Sequence, residues 1–192
     1  MVPYLSLILV DVALGQRAQI YGPPPFLLSL GLIAAPVLVF LWQSQDVYFA
    51  ERQILSALPK LAKVAQSEEL RNAFMTHRDE TEGHVQRLEE VFKIMGTAPE
   101  AKTCESIKGI LEEGEEIMEE YSGSEALDAG LLASAQAVEH YEISRYGTLK
   151  NWADQLGMKD AVSLLDETLQ EEKKTDALLS ELAETKVNLK AA

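Results

Sequence analysis

The sequence has a single cysteine, Cys104, so it can form neither an intrachain disulfide nor a zinc cluster held by thiolates. Basic residues are also few: 17 lysines and arginines stand against 31 aspartates and glutamates, which gives a formal net charge of -14. Nucleic acids require a basic surface, so they are excluded as partners. A lone cysteine is typical of a reducing compartment, and we expect a cytoplasmic protein whose metal ligands are oxygen and nitrogen atoms.

Charge is nearly absent from residues 1–42, where Asp11 and Arg17 are the only acidic or basic side chains. Within this extension, residues 26–42 form an uncharged run of 17 residues. A membrane-spanning helix needs about 20 apolar residues, with a lower limit of about 17. The chain therefore divides into an apolar N-terminal extension and a charged part, residues 43–192. Three interpretations of the extension stay open: a membrane anchor, a buried first helix, or an upstream segment that is not native to the working protein.

The charged part has a helical pattern almost throughout, without the alternation typical of strands. Ser67 is a favourable first residue for a helix, Gly96 and Gly157 are favourable endings, and Pro59 predicts a kink or interruption in the first helix. After that first helix, the predicted helices span about residues 67–95, 103–121, 125–156 and 160–189. Four long helices and one short helix, joined by brief connections, predict an all-α, antiparallel four-helix bundle.

Acidic residues fall on the same helical stripes as the apolar residues. In the third long helix, steps of three and four place Glu139 and Glu142 together on the inward stripe. The other members of that stripe are Leu132, Ala135, Tyr146 and Leu149. A buried ionised carboxylate is costly unless a cation or an ion pair compensates it. The two carboxylates therefore indicate metal binding, and the alternative is an ion pair with Arg145 or Arg78.

The spacing of acids in the two halves of the bundle is equal. Glu51 and Glu80 are 29 residues apart, and so are Glu142 and Glu171. With similar hairpins, four acids from four helices lie at one level, which is the arrangement of two-metal carboxylate bundles. Oxygen ligands with one or two imidazoles suit iron or manganese. We therefore predict two metal ions, with Glu172 as an alternative to Glu171.

The usual histidine ligand, three residues after the glutamate, is missing from this pattern. Gly83 and Lys174 occupy those places. His77 and His84, on either side of Glu80, are substitutes, although a lone histidine in a helix more often lies at the surface or is satisfied in the core. In the fourth long helix, Glu172 with Asp176 is another candidate pair.

Five stretches of the charged part resemble the YciE/YciF family of ferritin-like bacterial proteins. They are DVYFAERQILSALPKLAK (46–63), HRDETEGHVQRLEEVF (77–92), CESIKGILEEGEEI (104–117), VEHYEISRYGTL (138–149) and ETLQEEKKTD (167–176). They follow one another in order and span residues 46–185. The motif VEHYEI followed by YGTL is the most specific of them.

The resemblance implies a five-helix ferritin-like fold related to rubrerythrins, a homodimer, an association with stress responses and a two-metal centre, but it specifies no reaction. The ligands of this centre that the resemblance implies are Glu51, Glu80, Glu139, Glu142 and the pair Glu171/Glu172. His77 matches the family, whereas His84 stands where the family usually has glutamine. The apolar residues before about position 37 have no counterpart in the family.

The leading functional hypothesis is a stress-associated protein that binds two iron or manganese ions and reacts with peroxide or dioxygen, or handles metal without turnover. In it, Glu51 and Glu142 are terminal ligands, Glu80 and Glu171 or Glu172 bridge, and Glu139 completes the shell. Tyr48 and Tyr146 are either hydrogen-bond donors to these ligands or core aromatics. The alternative is a non-catalytic, dimeric interaction protein whose buried acids are protonated or salt-bridged.

Overall fold

The computed structural model describes the backbone of residues 25–191 and the side chains of residues 36–191. Within these residues the chain is helical and contains no strand, which confirms the all-α prediction. The helices are α1 (Pro25–Val64), α2 (Glu68–Ile94), α3 (Glu105–Glu120), α4 (Leu127–Gln155) and α5 (Lys159–Leu182), followed by a π-helical segment (Ala183–Val187) and a final turn, α6 (Asn188–Ala191). The four long helices and the short α3 form the predicted ferritin-like bundle.

Helix boundaries follow the local chemistry of the sequence. The side-chain oxygen of Ser67 accepts a hydrogen bond of 3.3 Å from the backbone N–H of Leu70, which satisfies one of the free donors at the start of α2. Gly96 and Gly157 follow the ends of α2 and α4 with φ of 72° and 74°. A side chain would strain the backbone in this left-handed region, so glycine is favoured at both ends.

The interruption predicted at Pro59 is wrong, whereas the kink predicted as its alternative stays a prediction. Helix α1 continues through Pro59 to Val64 without a break. A proline removes one N–H donor and therefore one helical hydrogen bond. Because Pro59 lies on the exposed side of α1, water can satisfy the carbonyl group that this missing donor leaves free.

The N-terminal extension lies largely outside the described residues: the structure describes no backbone before residue 25 and no side chain before residue 36. Residues 37–192 cluster into one compact unit. Among the helices in the part of the chain that the structure describes, none combines the length and the apolar character that crossing a membrane requires.

Two apolar cores occupy opposite ends of the bundle. The first includes Ile54, Leu58, Phe74, Leu131, Leu132 and Leu179. The second includes Val47, Leu88, Val91, Leu149, Leu165 and Leu169. Each of the four long helices also has buried polar residues at the level where these two groups meet. The sequence therefore builds a polar layer into the middle of the bundle, with apolar packing on both sides of it.

Candidate metal centre

Six ionisable side chains from the four long helices are buried in this middle layer, and none is more than 3% exposed. We call them the inner cluster: Glu51 on α1, His77 and His84 on α2, Glu139 and Glu142 on α4, and Glu172 on α5. Each shares its stripe with apolar core residues, so the packing of the two cores holds these polar groups inside.

The two histidines face the carboxylates at short range. His84 Nδ1 lies 3.0 Å from a Glu172 oxygen and 3.6 Å from a Glu51 oxygen. His77 Nε2 lies 3.1 Å from a Glu139 oxygen and 3.9 Å from the other Glu172 oxygen. The carboxylate of Glu172 therefore lies between the two imidazoles, with one oxygen toward each.

Most polar atoms of the inner cluster lack a hydrogen-bond partner. Nine buried side-chain nitrogen and oxygen atoms in the described part of the chain have no partner with hydrogen-bond geometry, although two of them, His84 Nδ1 and His77 Nε2, lie within 3.1 Å of a carboxylate oxygen, and all nine belong to these six residues. Both oxygens of Glu142 and both of Glu172 are among them. Buried polar groups are nearly always paired, and an unpaired buried carboxylate is especially costly. A bound cation would satisfy these atoms. Their lack of partners is therefore the strongest indication that these residues bind a metal.

Two overlapping sets of ligand atoms can be drawn within the cluster. Glu51, His84 and Glu172 form one set, and His77, Glu142 and Glu172 form the other. Within each set the ligand atoms all lie within 4.8 Å of one another. Because Glu172 belongs to both sets, its two oxygens can bridge two neighbouring ions. Carboxylates with one imidazole per ion are donors that suit iron or manganese.

Burial and mutual repulsion shift the acidity of these groups. Burial, together with the charges of Glu172 and Glu51, raises the pKa of Glu139 well above its usual range. Burial and the same two charges raise the pKa of Glu142 as well. Burial alone would lower the pKa of His84, but Glu51 and Glu172 outweigh it and raise that pKa to about 11. Without a cation, the cluster therefore holds protons in place of the missing positive charge.

Glu172 and Glu171 have different environments. The side chain of Glu172 is fully buried, whereas that of Glu171 is 28% exposed. Glu171 accepts two hydrogen bonds from Arg87, of 2.7 and 3.0 Å, and lies 3.0 Å from His84 Nε2. A carboxylate can only accept, so Nε2 of His84 donates and Nδ1 is left facing the cluster. The structure thus brings Glu172 into the centre and leaves Glu171 at its edge.

Glu80 also lies at the edge of the centre, with its side chain 21% exposed. Its carboxylate is 3.3 Å from the Lys174 ammonium group and 3.9 Å from His77 Nδ1. His77, and more weakly Lys174, lower the pKa of Glu80 to about 2 in spite of its partial burial. Of the residues predicted from the sequence, the structure therefore brings Glu51, His77, Glu139, Glu142 and Glu172 together, and it places Glu80 and Glu171 around them.

The two tyrosines have separate surroundings. Tyr146 is 1% exposed, and its hydroxyl group donates a hydrogen bond to Glu51. Burial and the charge of Glu51 raise the pKa of Tyr146, so its hydroxyl group keeps its proton and remains a donor. The hydroxyl group of Tyr48 instead donates to Glu89 at 2.9 Å. Of these two tyrosines, only Tyr146 forms a hydrogen bond with a residue of the inner cluster.

His84 is the member of the inner cluster that the sequence prediction left out of its ligand set. Its side chain is fully buried and touches Glu51, Glu171 and Glu172. The signal was its spacing: His84 follows His77 by seven residues, which is two helical turns and therefore the same face of α2. The usual glutamine of the family at this position had argued against it.

Most of the chain is similar in sequence to a known protein family. Residues 38–192 match the model described as "Domain of unknown function (DUF892)". The chain belongs to the DUF892 family. The family match begins within α1 and includes every residue of the inner cluster.

Relatives of this DUF892 chain are similar to it in sequence and in structure. It is 44% identical to Protein YciF of Escherichia coli (strain K12) over 154 residues, which cover 80% of this chain and 93% of YciF. The crystal structure of the E. coli stress protein YciF matches with a TM-score of 0.75 at 43% identity, over 78% of this chain and 95% of that one. The structure of YcfI from Rhodopseudomonas palustris matches with a TM-score of 0.72 at 42% identity, over 74% and 90%. These matches confirm the family resemblance of the five sequence stretches.

Proposed function

We propose that this DUF892 protein binds two iron or manganese ions in the inner cluster and acts in a stress response through redox chemistry or metal handling. The observation that carries the proposal is the group of nine buried polar atoms without partners, all of which lie on candidate ligands. A cluster of four fully buried carboxylates with two imidazoles has no other compensation at neutral pH than protons or cations. The relationship to the stress protein YciF supports the physiological setting.

Each residue of the inner cluster has a distinct role in this proposal. Glu172 bridges, because it belongs to both sets of ligand atoms. Glu51 and His84 bind on one side, and His77 and Glu142 bind on the other. Glu139, whose oxygen lies 3.1 Å from His77 Nε2, completes the second side. The sequence predicts Glu80 and either Glu171 or Glu172 at the bridging positions, and of these only Glu172 keeps that role in the present proposal.

Residues around the cluster orient the ligands. Tyr146 holds one oxygen of Glu51 by hydrogen bonding, which leaves the other oxygen for a metal. Glu171 accepts from His84 Nε2 and is itself held by Arg87, so the imidazole presents Nδ1 to the cluster. Bound iron or manganese would supply one-electron redox chemistry toward peroxide or dioxygen. The protein residues supply the fixed ligands and keep bulk water away.

The double substitution Glu139→Ala with Glu142→Ala tests the second side of the site. We expect metal content to fall from two ions per chain to at most one, because the set Glu51, His84 and Glu172 stays intact. Metal content is measured by plasma emission spectrometry after mild purification or after loading with iron(II) under argon. The matched control is Glu113→Ala with Glu116→Ala, two exposed acids that also lie three residues apart, on α3. Full metal content in the double variant would refute the ligand assignment.

The alternative function is a non-catalytic structural role, which has been suggested for YcfI of R. palustris. A purely structural protein gains nothing from four buried carboxylates of which six of the eight oxygens lack a hydrogen-bond partner, because such groups lower stability. Wild-type protein that binds neither iron(II) nor manganese(II) at micromolar concentrations would favour the structural role. Consumption of peroxide by the loaded protein would separate redox turnover from metal storage.

We also propose that the protein is a homodimer, as its resemblance to the YciE/YciF family implies. The apolar side chains of Leu38 and Trp42 on α1 are 62% and 47% exposed, and they offer surface for self-association. Light scattering coupled to size-exclusion chromatography is expected to give about twice the chain mass of 21.2 kDa. A mass equal to that of one chain would contradict this proposal.

A further inference from the structure

A small cavity adjoins the inner cluster between α1, α3 and α4. Its volume is about 10 Å³, and its wall includes the candidate ligands His77 and Glu139. The rest of the wall is apolar and is formed by Ile54, Ala57, Leu58, Leu61, Leu111, Ala135 and Val138. Apart from the two ligands, the cavity offers no side chain that could hydrogen-bond to a molecule inside it.

Two further spaces share wall residues with this cavity. A second cavity of about 20 Å³ shares Ala57, Leu111 and Ala135 with the first, among others. An open groove of about 310 Å³ on the outer surface shares Ala57, Leu111 and Lys60 with the second cavity. Ala57 and Leu111 therefore line all three spaces. The outermost of these spaces is open to solvent and the innermost is lined by His77, and we call the three together the α1–α3 passage.

Local packing explains why a gap exists at this place. A Cβ atom on Gly114 would approach the Ser134 hydroxyl oxygen to 2.7 Å, and one on Gly130 would approach Ile117 Cγ2 to the same distance. Helix α3 therefore lies very close to α4 through these two glycines. On its other side, toward α1, the small side chain of Ala57 leaves space that a larger residue would fill.

We propose that the α1–α3 passage is the route by which dioxygen reaches the metal centre. This proposal rests on the proposed function, since it assumes two reducible metal ions in the inner cluster. A water-sized polar molecule in a cavity needs two to four polar partners, and the inner cavity supplies none apart from the candidate ligands. Dioxygen is small and apolar, so it needs only space. The apolar part of the wall of the inner cavity therefore favours dioxygen over peroxide at the last step before the metal centre.

The reaction that the route serves can be followed with iron. Reduction of one dioxygen molecule to hydrogen peroxide consumes two protons and two electrons, one electron from each of two iron(II) ions. The rate of iron(II) oxidation after rapid mixing with dioxygen therefore reports how quickly dioxygen arrives, provided that entry limits the rate. Ala57 and Leu111 are not ligands, so substitutions there change the route and leave the donor atoms in place.

Substitutions at these two residues are expected to move the oxidation rate in opposite directions. Ala57→Phe fills the passage and is expected to slow oxidation about tenfold, an increase of about 1.4 kcal/mol in the entry barrier. Leu111→Ala widens the passage and is expected to accelerate oxidation. The control is Leu164→Ala, which truncates a partly buried leucine that packs on the second apolar core and is expected to leave the rate unchanged. Iron(II) binding under argon is measured first for every variant.

Xenon provides a readout that does not depend on metal chemistry. Crystals of the full-length Leu111→Ala variant under xenon pressure are expected to hold xenon between α1, α3 and α4, beside His77. Absence of xenon from that position would overturn the proposal that the α1–α3 passage admits small apolar molecules. Normal iron binding with unchanged oxidation rates in both Ala57→Phe and Leu111→Ala would also overturn it, while the proposed function would stand. A wild-type protein that binds no iron(II) under argon would instead overturn the proposed function, and the dioxygen route with it.

Discussion

Replacing Glu172 by glutamine is expected to remove both metal ions, whereas the same change at the neighbouring Glu171 is expected to leave both bound. Glu172 is fully buried, and its two oxygens face different imidazoles at 3.0 and 3.9 Å. It is the one residue common to both sets of ligand atoms. Glu171 is partly exposed, and Arg87 holds its carboxylate. Loss of the shared ligand weakens both positions together, and we expect metal affinity to fall by at least about 100-fold.

The two variants form a matched pair, because the change in chemistry is the same and the positions are adjacent on α5. Isothermal titration with manganese(II) under argon gives the affinity and the number of ions for each. For Glu171→Gln we expect two ions and an affinity within about tenfold of wild type, since this residue only orients His84. Equal losses in the two variants, or a larger loss at Glu171, would show that the bridge is assigned to the wrong residue.

Metal-free protein is expected to lose stability as pH rises from about 5 to 8, and metal is expected to reverse this trend. Burial raises the pKa of Glu139 and Glu142, so the folded state keeps protons that the unfolded state has released. His84, with a pKa raised to about 11, acts in the same direction above its ordinary pKa of 6.5. Each such proton makes stability fall by up to about 1.4 kcal/mol per pH unit. The lowered pKa of Glu172 opposes this only in the acid range, below about pH 4.5.

Metal competes with these protons for the same atoms, so binding strengthens as pH rises. At a free metal concentration about 1,000 times the dissociation constant, the folded state gains about 4 kcal/mol. Urea unfolding at several pH values gives the free energy of unfolding as a function of pH, once for the metal-free protein and once with manganese(II). The curves are expected to diverge with increasing pH. A metal-free protein whose stability rises between pH 5 and 8 would mean that the buried carboxylates are already compensated by the protein itself.

The bundle could be predicted from the sequence because the apolar stripes are long and the ends are well marked. Ser67, Gly96 and Gly157 define boundaries by local backbone chemistry, and that chemistry depends little on tertiary contacts. Pro59 does not interrupt α1, because the loss of one helical hydrogen bond costs little where water can replace it. On the exposed side of α1 it matters little, and only the structure gives that orientation.

The acids of α4 could also be placed from the sequence. Glu139 and Glu142 lie between Ala135 and Tyr146 on one stripe, and all four residues are at most 6% exposed. Glu171 and Glu172 could not be separated in this way, because a helical stripe is wide enough to include either of two adjacent residues. Their contacts distinguish them, because Arg87 donates a hydrogen bond to Glu171 at the edge of the centre. That contact joins residues 84 positions apart, so the helical pattern of α5 alone does not show it.

His84 shows how a family comparison and helical geometry can disagree. The family usually has glutamine at this position, and on that basis His84 was a weak candidate. Its seven-residue spacing from His77 nevertheless puts both imidazoles on one face of α2, with ring centroids 6.2 Å apart. Glu80 shows the opposite case. Its spacing placed it at the level of the cluster, but its contact with Lys174 leaves the carboxylate partly in solvent.

We propose that carboxylates on α1, α4 and α5 and the two imidazoles on α2 converge on two cations. Anomalous diffraction from crystals loaded with manganese(II), recorded above the manganese absorption edge, tests it most directly. We expect two peaks within the inner cluster, one near Glu51 and His84 and one near His77 and Glu142, with Glu172 between them. A map without peaks there, or with peaks only at exposed acids on the surface, would contradict the account.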